Sequence, residues 1–282
     1  MANINRILSD AHITLEDWRE SKRCWEAFRV ANGWGPRAPI LSWDNSKFKK
    51  DVRVITCGVS LAQANTVGLV TVRVWSTTPA PLWFGARTYR LVAMHINVCP
   101  FSTPACRAGC VSQNGNGRYD KVQQARQLKT RFLLEHPDEF CSLLAHELDV
   151  AYRKYGDRLR VRLNTFSDIR WEEVAPWLLR SDVIFYDYTK DWSRVAPANY
   201  RLTLSASERT SDRRVLAAVN AGRSVAVVFD TPRTRPLPAE WHGLVVIDGD
   251  ASDDRYGDIG AIVGLRAKGK LRGDRRGMVR AA

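Results

Sequence analysis

Three of the chain's six cysteines fall within twelve residues, as Cys99-x6-Cys106-x3-Cys110, with Pro100, Pro104 and Gly109 shaping the backbone between them. Three thiolates on one loop can wrap a metal centre. A structural zinc ion asks for four ligands, usually as two close pairs, and no second pair accompanies these three; Cys57, His95 or Cys141 would have to be brought up by the fold. A cubane cluster also has four corners, so three cysteines would leave one iron for an exchangeable ligand. Cys99, Cys106 and Cys110 are therefore the expected metal ligands, with a [4Fe-4S] cluster as the expected centre and zinc as the alternative. The uneven thiol distribution argues against a disulfide framework.

Other polar side chains sit where apolar runs finish. Asn164, Ser167 and Asp168 follow one run, Tyr188 and Lys190 the next, then Ser205, Ser207 and Glu208, then Asp230, then Asp248 and Asp250. Any one of these could be a helix cap or an Asx turn. Their recurrence at successive run ends points to a common mouth, since reacting groups gather at the carboxyl edge of parallel strands. Cys24, between Trp18 and Trp25 at near-helical intervals, reads as packing. His136 and His146 lack a second histidine at ligand spacing and are assigned no chemistry. Gly115-Asn116-Gly117 lacks the glycine spacing of a nucleotide fingerprint and reads as a turn.

The elements that would position these groups alternate. Apolar runs at 89–98, 159–163, 183–188, 200–204, 224–229 and 244–247, with a seventh at 261–265, are separated by helical stretches at 119–155, 171–180 and 212–221. Such alternation indicates a parallel sheet. The expected fold is α/β, a partial or complete parallel TIM-like (β/α) barrel, with an open doubly wound sheet as the alternative. Ahead of it, Thr14 followed by Asp17 caps a helix that stops at Asn32-Gly33, and runs at 52–56 and 67–75 read as half-buried strands, with a turn at 77–81. The division is a helical and β-rich extension over 1–88, a barrel-like core with the three-cysteine loop over 89–265, and a basic tail over 266–282.

The 282 residues are 45% hydrophobic and 26% charged, enough for a substantial core, so a disordered chain is excluded. No apolar run approaches the roughly 20 residues of a membrane span, and the first residues lack a secretory pattern, so the cytoplasm is expected and no membrane partner. A net charge of +13 favours polyanions. Seven Lys and Arg crowd the last seventeen positions, as a solvated tail or a phosphate-gripping arm.

From Cys99-Pro100 through Cys110, then Ala125-Arg126, Lys129-Thr130, Pro137-Asp138-Glu139-Phe140, Arg162-Leu163-Asn164 and Ser167-Asp168, the chain resembles the phage gene product 88 family. The likeness extends from Asn45-Ser46-Lys47-Phe48 through Phe185-Tyr186-Asp187-Tyr188-Thr189-Lys190, Asn199-Tyr200 to Ser205, and Glu208, covering residues 45 to about 270. It implies a phage or prophage lineage and, in a phage, a host-cytoplasmic location, but no reaction. The three-cysteine loop after a first strand also resembles radical S-adenosylmethionine enzymes, although their spacing is Cys-x3-Cys-x2-Cys and no Gly-Gly-Glu-like element ends the second strand. That resemblance implies S-adenosylmethionine as cofactor, with Asn164, Ser167, Asp168, Ser205, Ser207 and Glu208 on the cofactor side and Tyr188, Lys190, Asp230, Asp248 and Asp250 facing substrate. A nucleotide or nucleic acid substrate fits the charge. The alternative is a non-catalytic, zinc-stabilised nucleic-acid-associated protein.

Overall fold

A computed structural model describes residues 14–43, 53–57, 66–72, 87–94, 98–113 and 115–282. Helix α1 (Leu15–Ala31) opens on a capping box, with Asp17 N donating to Thr14 Oγ1 at 3.1 Å and Thr14 N to Asp17 Oδ2 at 2.6 Å. Its buried Trp25 and Phe28 pack on Phe132 of α3 (Asp120–Glu135) at ring separations of 4.6 and 5.3 Å. The single helical stretch expected over 119–155 is two helices. Pro137 starts α4 (Pro137–Tyr155) and, by crowding the residue before it, holds His136 out of the helical region at φ −137 and ψ 62. Phe140, Leu144, Leu148 and Ala151 form the buried stripe of α4.

The main sheet contains ten strands among the described residues: β1 (Leu41–Trp43), β2 (Arg53–Cys57), β5 (Leu159–Arg162), β6 (Ile184–Thr189), β7 (Tyr200–Ser205), β8 (Val225–Phe229), β9 (Glu240–Trp241), β10 (Leu244–Asp248), β11 (Ile262–Arg266) and β12 (Val279–Arg280). They run in the order β1-β2-β5-β6-β7-β8-β11-β10-β9, with β12 on β8. Eight make parallel pairings; β1 and β9 are antiparallel and cover the outer edges of β2 and β10. With both edges covered by antiparallel strands the sheet is open, and the TIM-like barrel is not formed. Strand β4 (Arg87–Met94), expected to begin the parallel wall, instead pairs antiparallel with β3 (Thr66–Val72) in a separate sheet, because β2 takes the place beside β5. The 171–180 stretch reduces to α5 (Trp171–Val174) and a 3-10 turn at Pro176–Leu178; Pro176 forces Ala175 to φ −149.

Period-two alternation sorts the sheet faces. Val161, Phe185, Tyr200, Leu204, Val225 and Phe229 are buried on one face, and the first three belong to the same core cluster as Phe140 and Leu144 of α4. Arg162, Tyr186, Tyr188 and Thr203 lie on the opposite face, where Arg162 pairs with Asp253 at 2.8 Å. Helix α6 (Asp212–Asn220) is capped by Ser211 and stops before Gly222, whose φ of 82 suits glycine. Strand β7 pairs with β8 only at Val225 and Ala226; beyond that β12 takes the same edge at Val228 and Phe229. The end of the chain thus wedges β7 away from β8 at the carboxyl edge. Residues 45–48, 77–81 and His95 lie outside the described residues.

Candidate functional site

The loop after residue 98 is bound to three strand ends. Val98 O accepts from Asp168 N at 2.8 Å, and Cys99 Sγ donates to Phe166 O at 3.3 Å, fixing the first cysteine to the β5 loop. Thr103 caps the short helix α2 (Pro104–Ala108), and Glu208, just past β7, accepts from Thr103 Oγ1 at 2.6 Å and from Ala105 N at 2.9 Å. Burial opposes ionisation of Glu208, but these donors hold its carboxyl below the usual range. Gly109 lies so close to the chain end that a Cβ there would meet Leu271 Cδ2 at 2.3 Å. Cys110 Sγ lies 3.1 Å from Ser112 Oγ, and Ser112 O accepts from Gln123 at 3.0 Å and Arg126 at 3.1 Å. Helix α3 therefore steadies the third cysteine.

None of Cys24, Cys99, Cys106, Cys110 and Cys141 is in a disulfide, and Cys141 is buried in the α4 core. Burial pushes the Cys99 thiol up to about 12, with Asp168, Cys110 and Cys106 adding to the rise and Lys190 opposing it. Burial also raises Cys106, against the cation of Lys190, which is within hydrogen-bonding reach of it. The fold thus brings all three predicted thiols into mutual electrostatic range. Among the described residues, the trio of potential ligand atoms lying within 4.8 Å of one another is Cys24, His136 and Glu139, so at least one pair of the three loop sulfurs is separated by more than that.

Beside Cys106 a cavity of about 270 Å³ is lined by Phe101, Lys190, Trp192, Ser207, Arg209 and Arg214 among others. The Arg214 guanidinium lies over the Trp192 ring, 4.7 Å from its centroid. Three cations, Lys190, Arg209 and Arg214, and two aromatic rings, Phe101 and Trp192, thus line one cavity. Trp192, Arg209 and Arg214 were not among the sequence candidates; only their convergence marks them, and no spacing encodes it.

The remaining candidates divide by what they touch. Asn164 receives Ser167 Oγ at 2.8 Å and Ile169 N at 2.9 Å, and its own N donates to Asp187 at 2.8 Å. Asp168 accepts from Lys190 N at 2.9 Å and Arg194 at 3.3 Å, and burial raises its carboxyl. Arg194, buried and not foreseen, also grips Glu172 at 2.6 Å and Tyr200 at 3.0 Å. Asn164, Ser167 and Asp168 thus brace the strand ends. Ser205 is half-buried on β7, and Ser207 Oγ meets Thr210 Oγ1 at 3.3 Å. Tyr188 lies under Arg162, 4.8 Å from guanidinium to ring, and burial raises its hydroxyl. Asp230 is exposed, its N donating to Arg280 O at 2.9 Å. Asp248 and Asp250 pair with Arg266 at 3.2 and 3.3 Å, and Asp250 also with Lys268.

The basic segment 266–282 lies along this edge. Ala267, Leu271 and Met278 are buried in one cluster with Ala105, against which Cys106 and Val228 pack. Arg280 donates to Ser207 O at 3.2 Å and pairs with Asp212 at 3.0 Å. No helix among the described residues is long and apolar enough to cross a membrane.

Comparison with curated proteins and with solved structures finds no match. The family model of gene product 88 matches residues 59–281, a span that takes in the cysteine loop, the strand ends that hold it and the final strand. The chain belongs to the gene product 88 family.

Proposed function

We propose that the protein is an iron-sulfur enzyme of radical type, in which Cys99, Cys106 and Cys110 hold three corners of a [4Fe-4S] centre beside a nucleotide-sized anion cavity. The observation that carries this reading is the spacing of the thiols. Cys106 and Cys110 lie close enough to raise the Cys99 thiol, yet the three sulfurs are not all within 4.8 Å of one another. Tetrahedral zinc at its usual Zn–S length places sulfurs only about 3.8 Å apart, whereas a cubane needs its corner ligands further apart. Three thiols would hold three irons of the larger centre, and the fourth would be open to an exchangeable ligand such as S-adenosylmethionine. When bound, such a centre would supply one-electron reduction of S-adenosylmethionine, and Cys99, Cys106 and Cys110 would hold it.

The chain's own residues orient and shield. Glu208 and the Asn164, Ser167 and Asp168 network hold the loop against the strand ends. Lys190 offers a cation to both Cys106 and the cavity, where Ser207 and Arg209 add polar contacts. Arg209, Arg214 and Trp192 suit the phosphate and base of a nucleotide substrate.

Anaerobic purification tests the reading. Brown protein with about four irons and four labile sulfides per chain is expected, with iron lost in Cys106→Ala and the spectrum of the reduced cluster changed by S-adenosylmethionine. Colourless protein retaining one zinc on the loop cysteines would replace this reading with the zinc-stabilised, non-catalytic one.

A further inference from the structure

A second group of ligand-type side chains lies well away from the cysteine loop in sequence and shares no residue with it. Cys24 projects from the middle of α1. His136 occupies the break between α3 and α4 that Pro137 creates, and Glu139 is the third residue of α4. The sulfur, a ring nitrogen and a carboxylate oxygen of these three lie within 4.8 Å of one another, each residue being half-buried. The imidazole is held in place: its ring contacts Phe28 at 5.6 Å edge-on and Phe132 at 5.3 Å. That packing turns Nδ1 to Cys24 Sγ, 3.5 Å away.

We infer that Cys24, His136 and Glu139 form a divalent metal site of zinc class, joining α1 to the α3–α4 corner. A zinc ion bound at the usual Zn–S and Zn–N lengths with tetrahedral angles separates sulfur from nitrogen by about 3.6 Å, close to the separation found. A thiol–imidazole hydrogen bond alone would explain that pair, but not the carboxylate brought against the same sulfur. Without a cation the arrangement is unfavourable for a thiolate, because the Glu139 carboxylate stands beside a half-buried sulfur. A divalent ion turns that same neighbour into an asset. Thiolate, imidazole and carboxylate together suit zinc in preference to magnesium or calcium, which take oxygen ligands, and three protein ligands leave a fourth position for water.

The test uses the full chain, stripped with chelator and desalted, with zinc and cobalt as probes. Cobalt is expected to develop a thiolate charge-transfer absorption that persists in Cys106→Ala and disappears in Cys24→Ser. Zinc is expected to raise the thermal unfolding midpoint of the unaltered chain. Glu139→Gln, at a half-buried helix start, keeps the fold and is expected to weaken zinc binding by at least about a hundredfold, since removing a direct ligand should cost more than removing a group that only supports one. Cobalt absorption lost in Cys106→Ala but kept in Cys24→Ser would overturn the assignment. So would a Glu139→Gln affinity equal to that of the unaltered chain, which decides the matter even if Cys24→Ser fails to fold.

Discussion

Glu147 sits on α4 with its carboxylate accepting Ile40 N at 2.8 Å and Leu41 N at 2.6 Å, while Lys129 Nζ donates to Ile40 O at 2.6 Å. Burial pushes this carboxyl up to about 7 from an ordinary 4.5, although the two N–H donors and Lys129 pull the other way. Because the folded value lies above the unfolded one, the folded chain holds the extra proton between them. Stability from this group is complete below about 4.5 and falls as pH rises toward about 7, by up to roughly 1.4 kcal/mol per pH unit. Urea unfolding at pH 5 and pH 7.5 is expected to show that loss in the unaltered chain and a smaller one in Glu147→Gln. Equal losses would place the proton elsewhere. Nothing in the sequence marks Glu147, since its partners are backbone amides 106 and 107 residues away. The same holds for Cys24, which reads as packing, and His136, which is assigned no chemistry, until the Pro137 break sets one against the other. Cys99, Cys106 and Cys110 were legible as one loop because they lie within twelve residues of one another. The bonds that Asn164 makes to Ser167, Ile169 and Asp187, and Glu208 to Thr103 and Ala105, were not legible, because most of their partners come from other segments.

At the level of elements, the segment 278–282 carries more than its length suggests. Met278 is buried beside Ala105, β12 completes the edge of β8 that β7 leaves, and Arg280 reaches Ser207 O and Thr210 O. Removing residues 278–282 is expected to lower stability by about 2 kcal/mol or more, the burial of Met278 alone contributing about 1.5–3 kcal/mol. It should also reduce metal occupancy on the cysteine loop, because Cys106 packs on the same cluster. Urea midpoints and metal content together check this, and an unchanged pair would remove the chain end from the site. The strands β5, β6, β7, β8, β10 and β11 were legible as apolar runs ending in polar residues, and α6 as a helical stretch over 212–221. Two-residue strands such as β9 and β12 have no run to read. The barrel expectation failed for a related reason: alternation of strands and helices predicts parallel pairing but not what covers the sheet edges, and here β1 and β9 cover both.

Across the whole molecule the net +13 is unevenly committed. In the basic segment, Arg266, Lys268 and Arg280 are engaged with Asp248, Asp250 and Asp212, and Arg276 with Asp274. Lys270, Arg272 and Arg275 are exposed on the stretch whose Leu271 packs behind the cysteine loop. If a polyanion binds the protein, these three cations are expected to add to the attraction of exposed Arg209 and Arg214 of the cavity. Cutting the chain near residue 265 would not test this, because it would also strip the packing around Cys106; point substitutions isolate the charge. Replacing Lys270, Arg272 and Arg275 with alanine is expected to leave the unfolding midpoint near that of the unaltered chain. If the three side chains neutralise phosphates of duplex DNA, the slope of log affinity against log salt should fall by roughly 0.9 for each phosphate that the variant leaves unneutralised. Fluorescence anisotropy with mixed-sequence duplexes over a salt series measures that slope. Identical slopes would mean these cations face solvent, and the polyanion would then have to be gripped by Arg209 and Arg214, inside the cavity mouth.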